Sequence, residues 1–144
     1  MKGFTMVVIT STISFTDHGE NDMIDITQEL ETKIKDSKLS KGICNVFVAG
    51  ATGGIIAIEF EPGLEKDFPE ILERIAPKNI KYAHHMTWGD YNGHSHVRAS
   101  IIGPSLTIPF IKGKLIHGTW QQFIFIELDT RSRNRSLYVT IIGE

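Results

Sequence analysis

One cysteine in 144 residues leaves no internal disulfide to be made. Cys44 lies in the apolar run Ile43 to Val48, where a thiol reads as buried and inert. Basic charge is scarce too. The formal net charge is −2, so no global positive field is available to hold nucleic acid, and no basic stripe marks the chain. Long apolar runs are missing. Phe4 to Ile9 is followed at once by Thr10, Ser11 and Thr12, without a signal-peptide cleavage pattern. No stretch approaches the roughly 20 apolar residues that span a bilayer. A cytoplasmic protein with neither membrane nor nucleic-acid partners is expected by elimination. Internal repeats, low-complexity segments and linkers are absent as well, so residues 1–144 read as a single domain. With 41% hydrophobic and 22% charged residues, the composition suits an ordinary globular domain with a real core.

The chain then reads in order. Residues 3–16 place Val7, Val8, Ile9, Ile13 and Phe15 among threonines and serines, which predicts one long strand. Asp17 to Asp22 is a polar turn. Asp25 and Gln28 have capping-box spacing, and Ile26, Leu30 and Ile34 recur every four residues, predicting a helix over 26–37. Ile43 to Val48 is a strand, and Ile55 to Phe60 is its return strand across the glycine-rich turn Ala49 to Gly54. That turn is not a Walker loop, because no Lys-Ser or Lys-Thr follows. Leu64, Phe68, Leu72 and Ile75 form a helical stripe. Pro69 sits best in a first turn, so the helix is set at 67–76. Val97 to Ile102 and Leu106 to Ile111 read as strands. Trp120 to Leu128 and Ser136 to Ile142 read as a final hairpin whose loop carries Arg131, Arg133 and Arg135. About seven strands and two helices without βαβ alternation predict an α+β fold with a mostly antiparallel β-sandwich or barrel-like sheet.

Five of the six histidines and both tryptophans fall between His84 and Gln121. His94-Ser95-His96 is the sharpest local feature. On an extended backbone both imidazoles share a face, about 6–7 Å apart at Cα. That suits two ligands of one zinc-type ion, with a third place open to His84 or a carboxylate. Three protein ligands and one open position is the catalytic arrangement. Between the histidines, Trp88, Gly89, Asp90, Tyr91, Asn92 and Gly93 have the aromatic, polar and glycine-rich character of a pocket-lining loop. Gly103-Pro104-Ser105 and Gly118-Thr119-Trp120-Gln121 offer hydroxyls and free backbone N–H groups near strand starts, where a phosphate can rest. Arg98 and the arginine loop add phosphate-pairing charge. Ser105 lacks the context of a nucleophile elbow, so a serine hydrolase is not expected.

From Gly42 to Glu144 the sequence resembles the YjbQ-like family, which is tied to secondary thiamine-phosphate synthase activity. The words that carry the resemblance are Gly42 to Val48, Asn92 to Ser100, Gly103 to Pro109, Gly118-Thr119-Trp120-Gln121 and the closing Gly143-Glu144. The resemblance implies a compact α+β homotrimer with a pocket near subunit interfaces. It also implies an enzyme joining hydroxymethylpyrimidine diphosphate to a thiazole phosphate with release of pyrophosphate. On that reading His84, His96 and Glu61 are the candidate catalytic residues. His84, His94 and His96 hold a divalent metal, zinc by preference. Trp88, Asp90, Asn92, Arg98, Ser105, Thr119, Trp120 and Gln121 contact the phosphorylated small-molecule substrate. Two departures are visible. Most relatives carry a histidine directly after the Val-Phe-Val strand, where this chain reads Ala49-Gly50-Ala51-Thr52. His85 stands where an aspartate is common. A metal- or metabolite-binding protein without robust turnover is the alternative these departures leave open.

Overall fold

The computed structural model describes residues 3–144. Among these it has eight strands and four helices, all strand pairs antiparallel. The order is β1 (Val7–Thr16), β2 (Met23–Asp25), α1 (Thr27–Ser37), β3 (Lys41–Val48), β4 (Gly53–Glu59), α2 (Leu64–Ile75), α3 (Ala83–Trp88), α4 (Gly93–Ile102), β5 (Ser105–Ile111), β6 (Lys114–Leu115), β7 (Gln121–Glu127) and β8 (Asn134–Gly143). A five-stranded sheet runs β1-β8-β3-β5-β6, and a three-stranded sheet runs β2-β7-β4. The α+β class is as the sequence predicts. No helix of the described residues is long and apolar enough to cross a membrane.

The core has two compartments, with β7 between them. Phe123 and Phe125 point one way, joining Cys44, Val46, Ile108, Phe110, Leu137 and Val139 of the larger sheet and Leu30 and Ile34 of α1. Ile126 points the other way, joining Leu72 of α2 and Ala99 of α4, with Ile102 packed against them. Both faces of β7 are therefore covered, which explains why Phe123 to Ile126 is a continuous apolar run. Burying Leu30, Ile34, Phe110 and Phe125 contributes about 1.5–3 kcal/mol each. Burial also raises the Cys44 thiol to about 11, which keeps it protonated and inert.

Several sequence expectations are corrected. Residues 3–6 precede β1 and are not strand. At α1 the cap is Ile26 with no side-chain hydrogen bond. Asp25 accepts instead from Thr27 N, so no capping box forms. The glycine-rich turn does not close a hairpin, because β3 lies in the large sheet and β4 in the small one. Glycine is needed there for close approach: a Cβ on Gly54 would lie 2.6 Å from Ile102 Cγ2. β7 and β8 likewise belong to different sheets. Helix α2 begins at Leu64 and holds Pro69 inside it. The Glu61 carboxylate accepts from Gly63 N and Leu64 N, satisfying first-turn donors early and starting the helix ahead of the proline. The largest correction concerns Val97 to Ile102. This segment is not a strand but the second half of α4, which begins at Gly93 and ends at Gly103 with φ +92°.

Candidate metal and ligand site

The helical state of α4 decides the site. Residues two apart share a face on a strand but stand about 200° apart around a helix. His94 and His96 therefore face different neighbours. His94 is fully buried, its Nε2 2.7 Å from Glu20 Oε1, while its Nδ1 has no hydrogen-bond partner. The same Glu20 accepts from Lys78 Nζ at 2.6 Å. Burial opposes ionisation of Glu20, but the bonds from Lys78 and His94 outweigh it and hold the carboxyl below its ordinary range. Arg98 completes this knot. Its side chain is 2% exposed, its Nε donates to Ala76 O at 3.0 Å and its Nη2 donates to Glu73. These groups tie α4 to α2 and to the loop before β2.

His96 turns toward α3. Its ring centroid lies 4.4 Å from that of His84. His84 Nε2 is 3.1 Å from Asp90 Oδ1 and 3.0 Å from Asn92 Oδ1. One ligand atom each from His84, Asp90 and His96 lies within 4.8 Å of the others. Two donors on one tetrahedral zinc ion stand about 3.3 Å apart, a spacing that small side-chain shifts in this group would reach. Burial, then the neighbouring His84, lowers the His96 pKa, which favours the neutral ring, the form able to bind a metal. Two imidazoles and a carboxylate fit a divalent ion with open positions. Local backbone makes this geometry possible. Gly89 ends α3 in the left-handed region at φ +69°, and Tyr91 also sits there at φ +54°. A Cβ on Gly93 would meet the Tyr82 side chain at 2.5 Å, so glycine lets α3 and α4 close together.

Beneath the group lies a buried ionic layer. Asn92 Nδ2 donates to Asp129 Oδ1 at 3.2 Å. Burial works against the Asp129 anion, yet donors from Thr130, Arg133 and Asn92 bring it down to about 2. Arg135 donates to Glu127 through Nε at 2.7 Å and Nη2 at 2.6 Å. Arg133 and Arg135 are thus committed to internal carboxylates, while Arg131 remains exposed.

The other candidate residues lie elsewhere. A recess of about 210 Å³ beside His96 is lined by Gly50, Ala51, Gly53, Ala99, Ser100 and Pro104. Ser105 starts β5 on the outer face of the large sheet. Thr119, Trp120 and Gln121 line a separate cleft of about 460 Å³ with Glu59, Glu61 and His117. Gly53 and Glu59 are the two ends of β4, so the two hollows are about 20 Å apart. Trp88 is 76% exposed at the end of α3. Asp129 was not singled out in the sequence, although an aspartate closing the buried run of β7 was its available signal.

The family description UPF0047 protein YjbQ-like matches residues 11–144. The UPF0047 protein of Methanothermobacter thermautotrophicus is 35% identical over 142 residues, covering 99% of this chain and 97% of the relative. UPF0047 protein YugU of Bacillus subtilis is 30% identical over 124 residues, 85% of this chain and 91% of its own. Among solved structures, a YbjQ-like protein of unknown function from Sulfolobus solfataricus superposes with a TM-score of 0.90 at 32% identity, over 97% of this chain and 100% of that one. Sequence words, matched length and fold agree, and the chain belongs to the YjbQ-like UPF0047 family.

Proposed function

We propose that this chain is a metal-dependent enzyme of phosphorylated small molecules, with a divalent ion, zinc by preference, held by His84, Asp90 and His96. The convergence of these three side chains, of which His96 also lines a recess, carries the reading. The reaction to test is that of a secondary thiamine-phosphate synthase. A thiazole nitrogen bonds to the methylene carbon of hydroxymethylpyrimidine diphosphate as the carbon–oxygen bond breaks, and pyrophosphate departs with the electron pair. Such a step needs charge neutralisation on the leaving group more than it needs a nucleophile. A bound divalent ion would supply that neutralisation. This chain's residues orient the ion and leave the Gly50 side of the recess open to substrate. Complementation of a thiamine auxotroph by wild type, and its loss with His96→Ala, is the expected result.

One observation favours binding without robust turnover. Gly50 lines the same recess as His96, so the turn after β3 brings no imidazole to the group. Loss of metal in His96→Ala with unchanged growth would select that reading.

We also propose that the large sheet pairs with further copies of the chain in a closed homo-oligomer, a trimer by family resemblance. Its outer face has the rows Val8-Ile142-Ile43-Pro109, Thr10-Thr140-Asn45-Thr107 and Thr12-Tyr138-Phe47-Ser105. None of these residues is charged, in a chain with 22% charged residues, and Val8 is 64% exposed. β1 and β8 have ten residues, β3 eight and β5 seven, so the four strands cover roughly 550 Å², below the ~800 Å² per partner of a standard interface. Light scattering is expected to show an oligomer at micromolar concentration that Tyr138→Glu dissociates. A wild-type monomer would overturn this.

A further inference from the structure

His84 Nε2 faces two oxygens at once, Asp90 Oδ1 at 3.1 Å and Asn92 Oδ1 at 3.0 Å. A single ring N–H cannot serve both well, whereas donors around one cation naturally crowd at about this spacing. Asn92 is buried, so its amide is set by neighbours and not by solvent. The neighbour that sets it is Asp129. An ionised carboxylate only accepts, so the Asn92 NH2 must point to Asp129 Oδ1, at 3.2 Å, and its carbonyl must point to His84. Asp129 is itself fixed. Its Oδ1 accepts from Thr130 N at 2.8 Å, and its Oδ2 accepts from Thr52 Oγ1 at 3.2 Å and Arg133 Nε at 2.8 Å.

We propose that Asn92 Oδ1 is a fourth ligand of the ion held by His84, Asp90 and His96, and that Asp129 is its positioning residue. The inference rests on the reading of that group as a metal site. It adds a neutral oxygen donor, giving two nitrogens and two oxygens with a single formal negative charge. Such a mixed set suits zinc, cobalt or manganese and leaves one or two positions for a phosphate oxygen or water. It also explains why a buried asparagine stands at the start of α4, where a serine, threonine or aspartate would cap as well. Here the side chain makes no cap bond, because it serves the group and Asp129 instead.

Cobalt(II) is the probe, read by its visible absorption and by competition with a chromophoric chelator. Wild type is expected to bind one equivalent. Asn92→Ala should weaken binding at least tenfold and alter the spectrum. Asp129→Asn should weaken binding about tenfold, the size usual for groups that orient a ligand. Unchanged affinity and spectrum in Asn92→Ala would overturn the fourth ligand while leaving the three-residue site intact. Failure of wild type to bind cobalt would overturn the metal reading and this inference with it. A crystal structure of zinc-loaded wild type decides the matter without any variant. Asn92 Oδ1 at about 2.0–2.2 Å from the ion supports the proposal, and a separation beyond about 3 Å overturns it.

Discussion

His94 and His96 are separated by one serine, yet they live in different chemistry. His94 is buried in an ionic knot with Glu20, Lys78 and Arg98. His96 sits half-buried beside His84, facing a recess. The difference teaches that residue type and spacing do not assign a role until the backbone period is known. On a strand the pair would share a face, whereas on α4 one joins the internal knot and the other faces α3.

The largest effect expected from this contrast is on folding. His94→Ala should remove about 2–3 kcal/mol of stability, because Glu20 loses a partner and a filled interior site is emptied. For a domain of this size that is a Tm lowered by about 5–10 °C, measured with chelator present. Arg98→Lys tests the same knot more gently. It keeps the charge but loses the bond to the Ala76 carbonyl and the Nη2 bond to Glu73, so about 1–2 kcal/mol should go while metal affinity stays. If Arg98→Lys instead lost ligand binding at full stability, the residue would belong to the site.

Acid should separate the two regions further. His96 has a folded pKa below its ordinary value of about 6.5. The unfolded chain therefore takes up the proton first. The contribution of the neutral ring is present above about pH 6.5 and is lost as the pH falls. Metal-free wild type should lose stability relative to metal-free His96→Ala between pH 7 and pH 5. Equal pH slopes in the two proteins would contradict this. The smallest effect is expected at pH 7 without metal, where His96→Ala and wild type should melt within about 0.5 kcal/mol of each other. A mutant melting well below chelator-treated wild type would make His96 structural.

Much of the scaffold was legible. The alternation in β1, the four-residue spacing in α1 and the apolar runs of β3 and β5 are direct prints of period and burial. Pairing was not legible. β3 and β4 are joined by a short turn that looks like a hairpin, but the chain crosses between sheets there, with Gly54 passing close to Ile102. Nor was α4, because Val97 to Ile102 is apolar enough for either state and too short for periodicity to decide. Its helical face is set by tertiary contact, with Ala99 and Ile102 meeting Ile126 and Leu72. For the candidate site, the clustering of histidines is legible in the sequence, and the stretch it marks holds His84, Asp90 and His96. The position of Asp90 and Asn92 beside His84 is not legible in the sequence, because it depends on the left-handed turns at Gly89 and Tyr91. In the loop after β7 the arginines dominate the sequence, and only the fold shows Arg133 paired with Asp129 and Arg135 with Glu127.

The central claim is that His96, and not His94, belongs to the metal group. Zinc content of untagged wild type, His94→Ala and His96→Ala, purified in metal-replete buffer, tests it directly. The account predicts about one equivalent in wild type, close to one in folded His94→Ala, and less than about a tenth in His96→Ala. Zinc retained by His96→Ala and lost from folded His94→Ala would contradict it.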